Sequence, residues 1–233
     1  MPLPTPPVPY YELELPSNGK KVVYRPYLTK EEKILLIALE SQDEKQVISA
    51  IKNTIKSCLK TKIKIEDLAT FDIEYLFLNI RARSIGEYIE LLVTCPDDNT
   101  TQIKVKIDID QIKVQKDPKH QREFKLSDDF IVTLKYPNID SVLEADKESA
   151  DEAMKVFAKC VAQIATPDEV YDCSKYPIEE VQDFLEKLQP KDFEKLETFF
   201  ATIPKLSHTI KFRNPNTEVE NEVTIEGVFN FFA

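Results

Sequence analysis

Three pairs of neighbouring aspartates and two histidines are the side chains of this 233-residue chain that acid–base chemistry would draw on. Asp97-Asp98 and Asp128-Asp129 are adjacent, and Asp108 and Asp110 alternate, so that a strand would hold both carboxylates on one face. Carboxylates held in unlike surroundings can divide into a general acid and a general base. His120 and His208 titrate near neutrality, and Ser207 beside His208 offers a hydroxyl nucleophile. A hydrolase using carboxylates or a histidine is the enzymatic reading these residues allow. The structural reading is simpler. Turn aspartates hydrogen-bond their own backbone, and a chain of net charge −10 carries carboxylates throughout. Neither histidine stands in a nucleophile motif, and no G-x-S-x-G elbow occurs.

Other chemistries fail on spacing. Cys58, Cys95, Cys160 and Cys173 form no C-x-x-C pair for a zinc ribbon or redox site and read as reduced, packed thiols. Two distant histidines exclude an H-E-x-x-H zinc helix, and no window fits a calcium loop. Gly19, Gly86 and Gly227, the three glycines of the chain, are too dispersed for a G-x-G-x-x-G or Walker cradle. No cofactor is therefore expected. The acidic balance disfavours a nucleic-acid partner. Lys113, Lys116, Lys119 and Arg122, set against Asp117, read as a solvated link. No stretch reaches the ~18 apolar residues of a membrane span, and Met1 to Pro9 lacks the apolar run of a secretory signal. Cytosolic residence is the expectation.

What remains are features suited to protein contact. PLPTPPVP, residues 2–9, holds five prolines and is expected to extend as polyproline II. An arm of that kind loses little entropy on docking, so Pro4 and Pro7, with Tyr10 and Tyr11 beside them, are candidate partner-binding residues. Arg81 and Arg83 emerge from an apolar helix and need a carboxylate or a partner. Phe229, Phe231 and Phe232 near the last residue are costly to leave in water and belong in a sheet or an interface.

The elements that position these residues alternate in period. Tyr11, Leu13 and Leu15, the SNGK turn, and Val22 and Tyr24 predict a hairpin. Thr29 with Glu32, and Ser41 with Glu44, predict capping boxes for two helices. A uniformly apolar third helix is expected from about residue 71 to 84, with Gly86 at its cap. Ile89 to Cys95 and Ile103 to Ile109 alternate around Pro96–Thr100 as a second hairpin. Phe130 to Tyr136 reads as a strand and 148–165 as one amphipathic helix, followed by helices beginning at Pro177 and Pro190. A last hairpin spans 208–225. The segments LLVTCPDDNTTQIKVKID and HTIKFRNPNTEVENEVTIEG share a turn with Pro and Asn-Thr, as two hairpins of one type. The order predicts an α+β fold, β-hairpins alternating with amphipathic helices. Its expected divisions are an arm at 1–9, an α+β region at 10–145 and a helical region at 146–233 that closes with a hairpin.

The phrases LPSNGKKVVYRPYLTKEEKILLIALES, FDIEYLFLNIRARSIGE, TCPDD, LKYP, LEKLQPKDFEKLETFF and GVFNFF, in this order over nearly the whole chain, resemble the baseplate hub subunit and hub assembly family of T-even-type contractile-tailed bacteriophages. The resemblance implies a non-enzymatic role in assembly of the tail hub, through contacts with other baseplate hub and tail proteins. It implies no catalytic residues. The expected location is the host cytoplasm during assembly and the virion tail baseplate. Within the first phrase, Arg25 is expected to pair with Glu31 or Glu32.

Overall fold

The computed structural model describes residues 6–126, 130–144 and 150–227. Strands β1 (Tyr11–Glu14) and β2 (Lys21–Tyr24) lead into helices α1 (Thr29–Glu40), α2 (Glu44–Cys58) and α3 (Thr70–Ile85). Strands β3 (Tyr88–Thr94), β4 (Gln102–Asp108), β5 (Lys113–Gln115), β6 (Glu123–Lys125) and β7 (Ile131–Leu134) follow. Next come α4 (Ile139–Glu144), α5 (Ala150–Cys160), β8 (Val161–Ala165), β9 (Val170–Asp172), α6 (Ile178–Glu186) and α7 (Pro190–Ala201). Strands β10 (Lys205–Arg213) and β11 (Glu220–Glu226) close the described chain. Helices and small antiparallel sheets alternate, so the fold is α+β, as the periodicity predicts.

Two compact units divide the chain. One holds residues 1–65, 71–115 and 205–233, the other 66–70 and 116–204. In the first, β1 and β2 pair in the register Tyr11 to Tyr24 and Leu13 to Val22, and β3 pairs with β4. The alternation of β3 buries Ile89, Leu91 and Val93 against Leu78 and Ala82 of α3. Strand β10 lies between β11 and β5. It adds Leu206 and Ile210 to the same core, with Ile225 from β11.

The three hairpins of the first unit, β1–β2, β3–β4 and β10–β11, turn the same way. Leu15-Pro16, Cys95-Pro96 and Asn214-Pro215 each open a turn whose fifth residue, Gly19, Asn99 or Glu218, takes a positive φ of 70°, 54° or 61°. The N–H of that fifth residue donates to the carbonyl of the first, at 2.8 to 2.9 Å. Proline fixes the first corner, and a left-handed residue closes it. The likeness expected of two hairpins therefore extends to the first one as well. In that hairpin the Ser17 N–H donates to the buried Asp72 carboxylate of α3 at 2.9 Å, which ties the turn to the helix.

In the second unit, β6-β7-β8-β9 form one sheet. Phe124, Val132, Leu134, Val161 and Ile164 pack on α5, α6 and α7 through Phe157, Val181, Leu185, Leu196 and Phe199.

Several local expectations are corrected. Helix α1 is capped at Leu28, and Glu31 rather than Glu32 reaches back to the cap, its Oε2 accepting from the Leu28 N–H at 2.8 Å. Asp43, not Ser41, caps α2, accepting from Lys45 N–H at 2.9 Å. The predicted helix over 148–165 ends at Cys160. Its last apolar positions, Val161 and Ile164, instead enter β8 between β7 and β9, because two flanking strands satisfy a backbone rich in β-branched and small residues better than one more helical turn.

Candidate functional site

Tyr11 and Arg83, two of the residues singled out by sequence, meet in the first unit, and Tyr10, one position earlier in the extended chain, contacts Lys60 instead. Pro7 is exposed just before them; Pro4, Phe229, Phe231 and Phe232 lie outside the described residues. The Tyr11 ring stands 5.9 Å from that of its strand partner Tyr24, and the Arg83 guanidinium lies 5.2 Å above Tyr11. The Nη1 of Arg83 donates to Glu87 Oε1 at 2.8 Å. Burial pushes the Tyr24 hydroxyl up, and the hydrogen-bonded Arg83 partly offsets the shift. The ammonium of Lys60 sits 4.9 Å over the Tyr10 ring. Lys60 escaped the sequence analysis, because its place depends on the bridge that brings Leu59 to Tyr24 and on the bond from its N–H to Val23 O at 2.8 Å. The surface of the first hairpin thus offers two separate aromatic and cation contacts, Tyr10 with Lys60 and Tyr11 with Arg83, of the kind that protein interfaces favour.

Arg81 is not part of this surface. Two residues along a helix turn through about 200°, and Arg81 lies on the opposite face, in a cavity of about 220 Å³ walled by Leu35, Leu39, Ile51, Phe77 and Ile89. Glu32 and Glu90 also line the cavity. Burial pulls the Arg81 guanidinium down from its ordinary value, opposed by Tyr27. The volume is below the roughly 300–1,000 Å³ of small-molecule pockets, and apolar side chains suit it better than a cofactor does. Helix α1 also exposes Ile34, Leu36 and Ile37, at 53, 54 and 67 %, beyond the stripe through Leu35 and Ala38 that it buries.

The second unit holds a groove that sequence reasoning missed. Tyr171 and Tyr176 stand with ring centroids 6.3 Å apart, and Phe130 and Phe184 6.0 Å apart. Together they frame a groove of about 390 Å³ over Ile164, Cys173 and Val181. These aromatics come from four separate elements and loops, so no local pattern announces them.

The acid–base candidates take structural posts. Asp108 ends β4 and caps the following 3-10 turn, its Oδ1 accepting from the Asp110 N–H at 3.0 Å, so the two do not share a strand face as expected. Asp97 and Asp98 sit in the β3–β4 turn, where Asp97 accepts from Asn214 of the β10–β11 turn and Asn221 of β11, and Asp98 from Asn214 and the Thr100 and Thr101 N–H groups. Asp128-Asp129 lies outside the described residues. Thr202 donates its hydroxyl to Thr198 O at 2.7 Å. It is thereby left to accept from His120 Nδ1 at 2.9 Å, while Tyr136 stands 3.1 Å from Nε2. The imidazole stacks on Tyr136 and packs on Phe199. Burial and Arg122 both lower its pKa, which fits a neutral, packed ring. His208 sits opposite Ile225 in the β10–β11 ladder. Among the described residues no three His, Cys, Asp or Glu side chains are grouped to hold a metal. None of the described helices is long and apolar enough to cross a membrane.

A family model described as T4 bacteriophage base plate protein matches residues 8–233 of the chain. No curated protein and no solved structure matches it.

Proposed function

This chain belongs to the family of T4 bacteriophage base plate proteins, and on that premise we propose that it acts without catalysis in building the tail baseplate hub, as a hub subunit or assembly factor. The observation that carries the reading is the family match over residues 8–233. Its support in the molecule is the kind of surface on offer. Tyr10 with Lys60 and Tyr11 with Arg83 form two aromatic and cation contacts on the first hairpin, α1 leaves Ile34, Leu36 and Ile37 in solvent, and four aromatics frame the groove of the second unit. Such features are what partner proteins cover. The partners are other hub and tail proteins, met in the host cytoplasm during assembly.

Affinity capture of the tagged protein from phage-infected cells, with mass spectrometry, tests the reading alongside analysis of purified virions. Recovery of hub proteins together with presence in virions identifies a hub subunit. Recovery with absence from virions identifies an assembly factor. Capture of no tail protein overturns the proposal.

A further inference from the structure

We propose that the groove lined by Lys56, Lys60, Lys62 and Lys64 in the first unit docks an acidic segment of a partner protein. Charge is segregated along the chain at this point. Residues 45–65 hold six lysines, while all 41 acidic residues lie outside that stretch. Four of the six line one groove of about 390 Å³, with Leu59 and Ile63 between them and no carboxylate among its described lining residues. Other lysines have carboxylates at hand: Lys155, Lys187, Lys195 and Lys205 pair with Asp151, Asp183, Asp192 and Glu226. Among the described residues, no ion pair uses any of the four groove lysines. Their like charges repel one another, and an anion laid across them replaces that repulsion with attraction.

The backbone that presents them is fixed. Leu59 bridges to Tyr24, the Lys60 N–H donates to Val23 O at 2.8 Å, and the Thr61 hydroxyl accepts from the Val23 N–H at 2.8 Å. Burial alternates along this segment: Leu59, Thr61 and Ile63 are half-buried and Ile65 is buried, whereas Lys60, Lys62 and Lys64 are exposed. Lys56, in the last turn of α2, stands one helical turn before Lys60. An extended partner segment repeats its side chains on one side at every second residue, so glutamates or aspartates at alternate positions meet Lys60, Lys62 and Lys64 in order. With the backbone already held, binding orders only the lysine side chains. A nucleic acid or an anionic bilayer suits the groove less, because either extends past it onto a chain of net charge −10 and is repelled there. The inference is independent of the hub reading, and its test uses the protein alone.

The probe is a fluorescein-labelled peptide of alternating glutamate and leucine, followed by anisotropy with the full chain at low ionic strength. Binding is expected, weakening as salt is raised and absent when glutamine replaces glutamate in the peptide. Lys56→Gln, Lys60→Gln, Lys62→Gln and Lys64→Gln made together should lower the affinity by about tenfold or more, whereas arginine at the same four positions should preserve it. Lys33→Gln, Lys104→Gln, Lys113→Gln and Lys191→Gln made together, at lysines that are also exposed, should change it far less. Circular dichroism verifies folding, and Lys62→Gln with Lys64→Gln alone keeps the readout if the fourfold variant does not fold. No binding of the glutamate peptide overturns the proposal, as does an equal loss in the two glutamine sets. Tighter binding of an oligothymidylate of the same charge, or of phosphatidylserine vesicles, would assign the groove to phosphate and overturn it as well. Self-association of the protein alone that the groove variant abolishes would place a second copy in the groove, with the same consequence.

Discussion

The side-chain amide of Asn214 donates to both carboxylate oxygens of Asp97, at 2.9 and 3.1 Å, across 117 positions of sequence. The same amide reaches Asp98 Oδ2 at 3.1 Å. Asn221 completes the joint by donating to Asp97 Oδ1 at 2.9 Å and accepting from the Asp97 N–H at 3.2 Å. Two turns of one type are thus latched to each other. Asn214 is fully buried, so Asn214→Ala strips its partners without admitting an equivalent donor. It should lower stability in urea unfolding by about 1–3 kcal/mol. Asn214→Asp should cost more at neutral pH than in acid, since it sets a third carboxylate against two.

Two pH windows follow from the shifted groups. Thr217 and Asn214 hold the Asp97 carboxyl below its ordinary 3.8, and the Thr101 hydroxyl with the Thr100 and Thr101 N–H groups holds Asp98 lower still. Groups depressed on folding contribute stability that is complete above their unfolded value and lost as pH falls through the folded one. The latch should therefore weaken only below about pH 3.8. His120, lowered from 6.5 by burial and Arg122, obeys the same sign in a higher window. Its contribution is whole above about pH 6.5 and declines as the buried ring is forced to protonate. Thermal melts across pH 4.5 to 7.5 should show this slope in the natural chain and lose it in His120→Gln.

All four cysteines are free and buried. Burial pushes the thiol of Cys160 up to about 12 and that of Cys58 up to about 11, and also raises Cys95 and Cys173. Thiolate is the reacting form. At pH 8 the native protein should give almost no rapid reaction with a disulfide reagent, and four thiols should react once guanidinium unfolds it. Rapid reaction in the native state would contradict the packing described for these residues.

Arg25 and Glu31 meet at 2.9 Å with side chains 14 and 5 % exposed, and Glu31 also caps α1. Removing either leaves the other charge desolvated. Arg25→Met and Glu31→Gln should each destabilise the protein, and the double variant should be less damaged than the sum. A coupling of about 1–3 kcal/mol is expected from a double-mutant cycle.

What the sequence could carry, and what it could not, separates along range of interaction. The period-2 runs of β3 and β10 and the apolar run of α3 are each decided by their own residues, and all three are found where predicted. Val161 to Ala165 is different. Its apolar positions satisfy the helical stripe of α5 and the pleat of β8 equally well, and the choice falls to β7 and β9, which lie elsewhere in the chain. The pairing of β10 with β5, Lys205 opposite Gln115, is likewise invisible locally. At the site, residue type pointed to Tyr10, Tyr11 and Arg83, and helical geometry alone could have separated Arg81 from Arg83. Lys60 could not be found that way, because a backbone bridge to β2 brings it to Tyr10.

The aromatic and cation contacts of the first hairpin, Tyr10 with Lys60 and Tyr11 with Arg83, allow binding to be separated from folding. Arg83 is exposed, and its ion pair with Glu87 has both side chains substantially in solvent, at 39 and 52 %. Such a pair contributes about 0.2–1 kcal/mol, and an exposed cation–π contact about 0.5–1 kcal/mol. Tyr10→Ala and Lys60→Ala should therefore leave melting temperatures within a few degrees of the natural chain, whereas Arg83→Ala also takes a hydrogen bond from the buried Tyr24 hydroxyl. If Tyr10 and Lys60 contact a hub neighbour, the same changes remove a cation or aromatic anchor of the kind that dominates interface energetics, at a cost of about 2 kcal/mol or more. Recovery of that neighbour in affinity capture should then fall at least tenfold, while Lys211→Ala, on the exposed side of β10 opposite Glu222, should leave it unchanged. Equal recovery with all three variants would move the contact away from the first hairpin, toward α1 or the aromatic groove of the second unit.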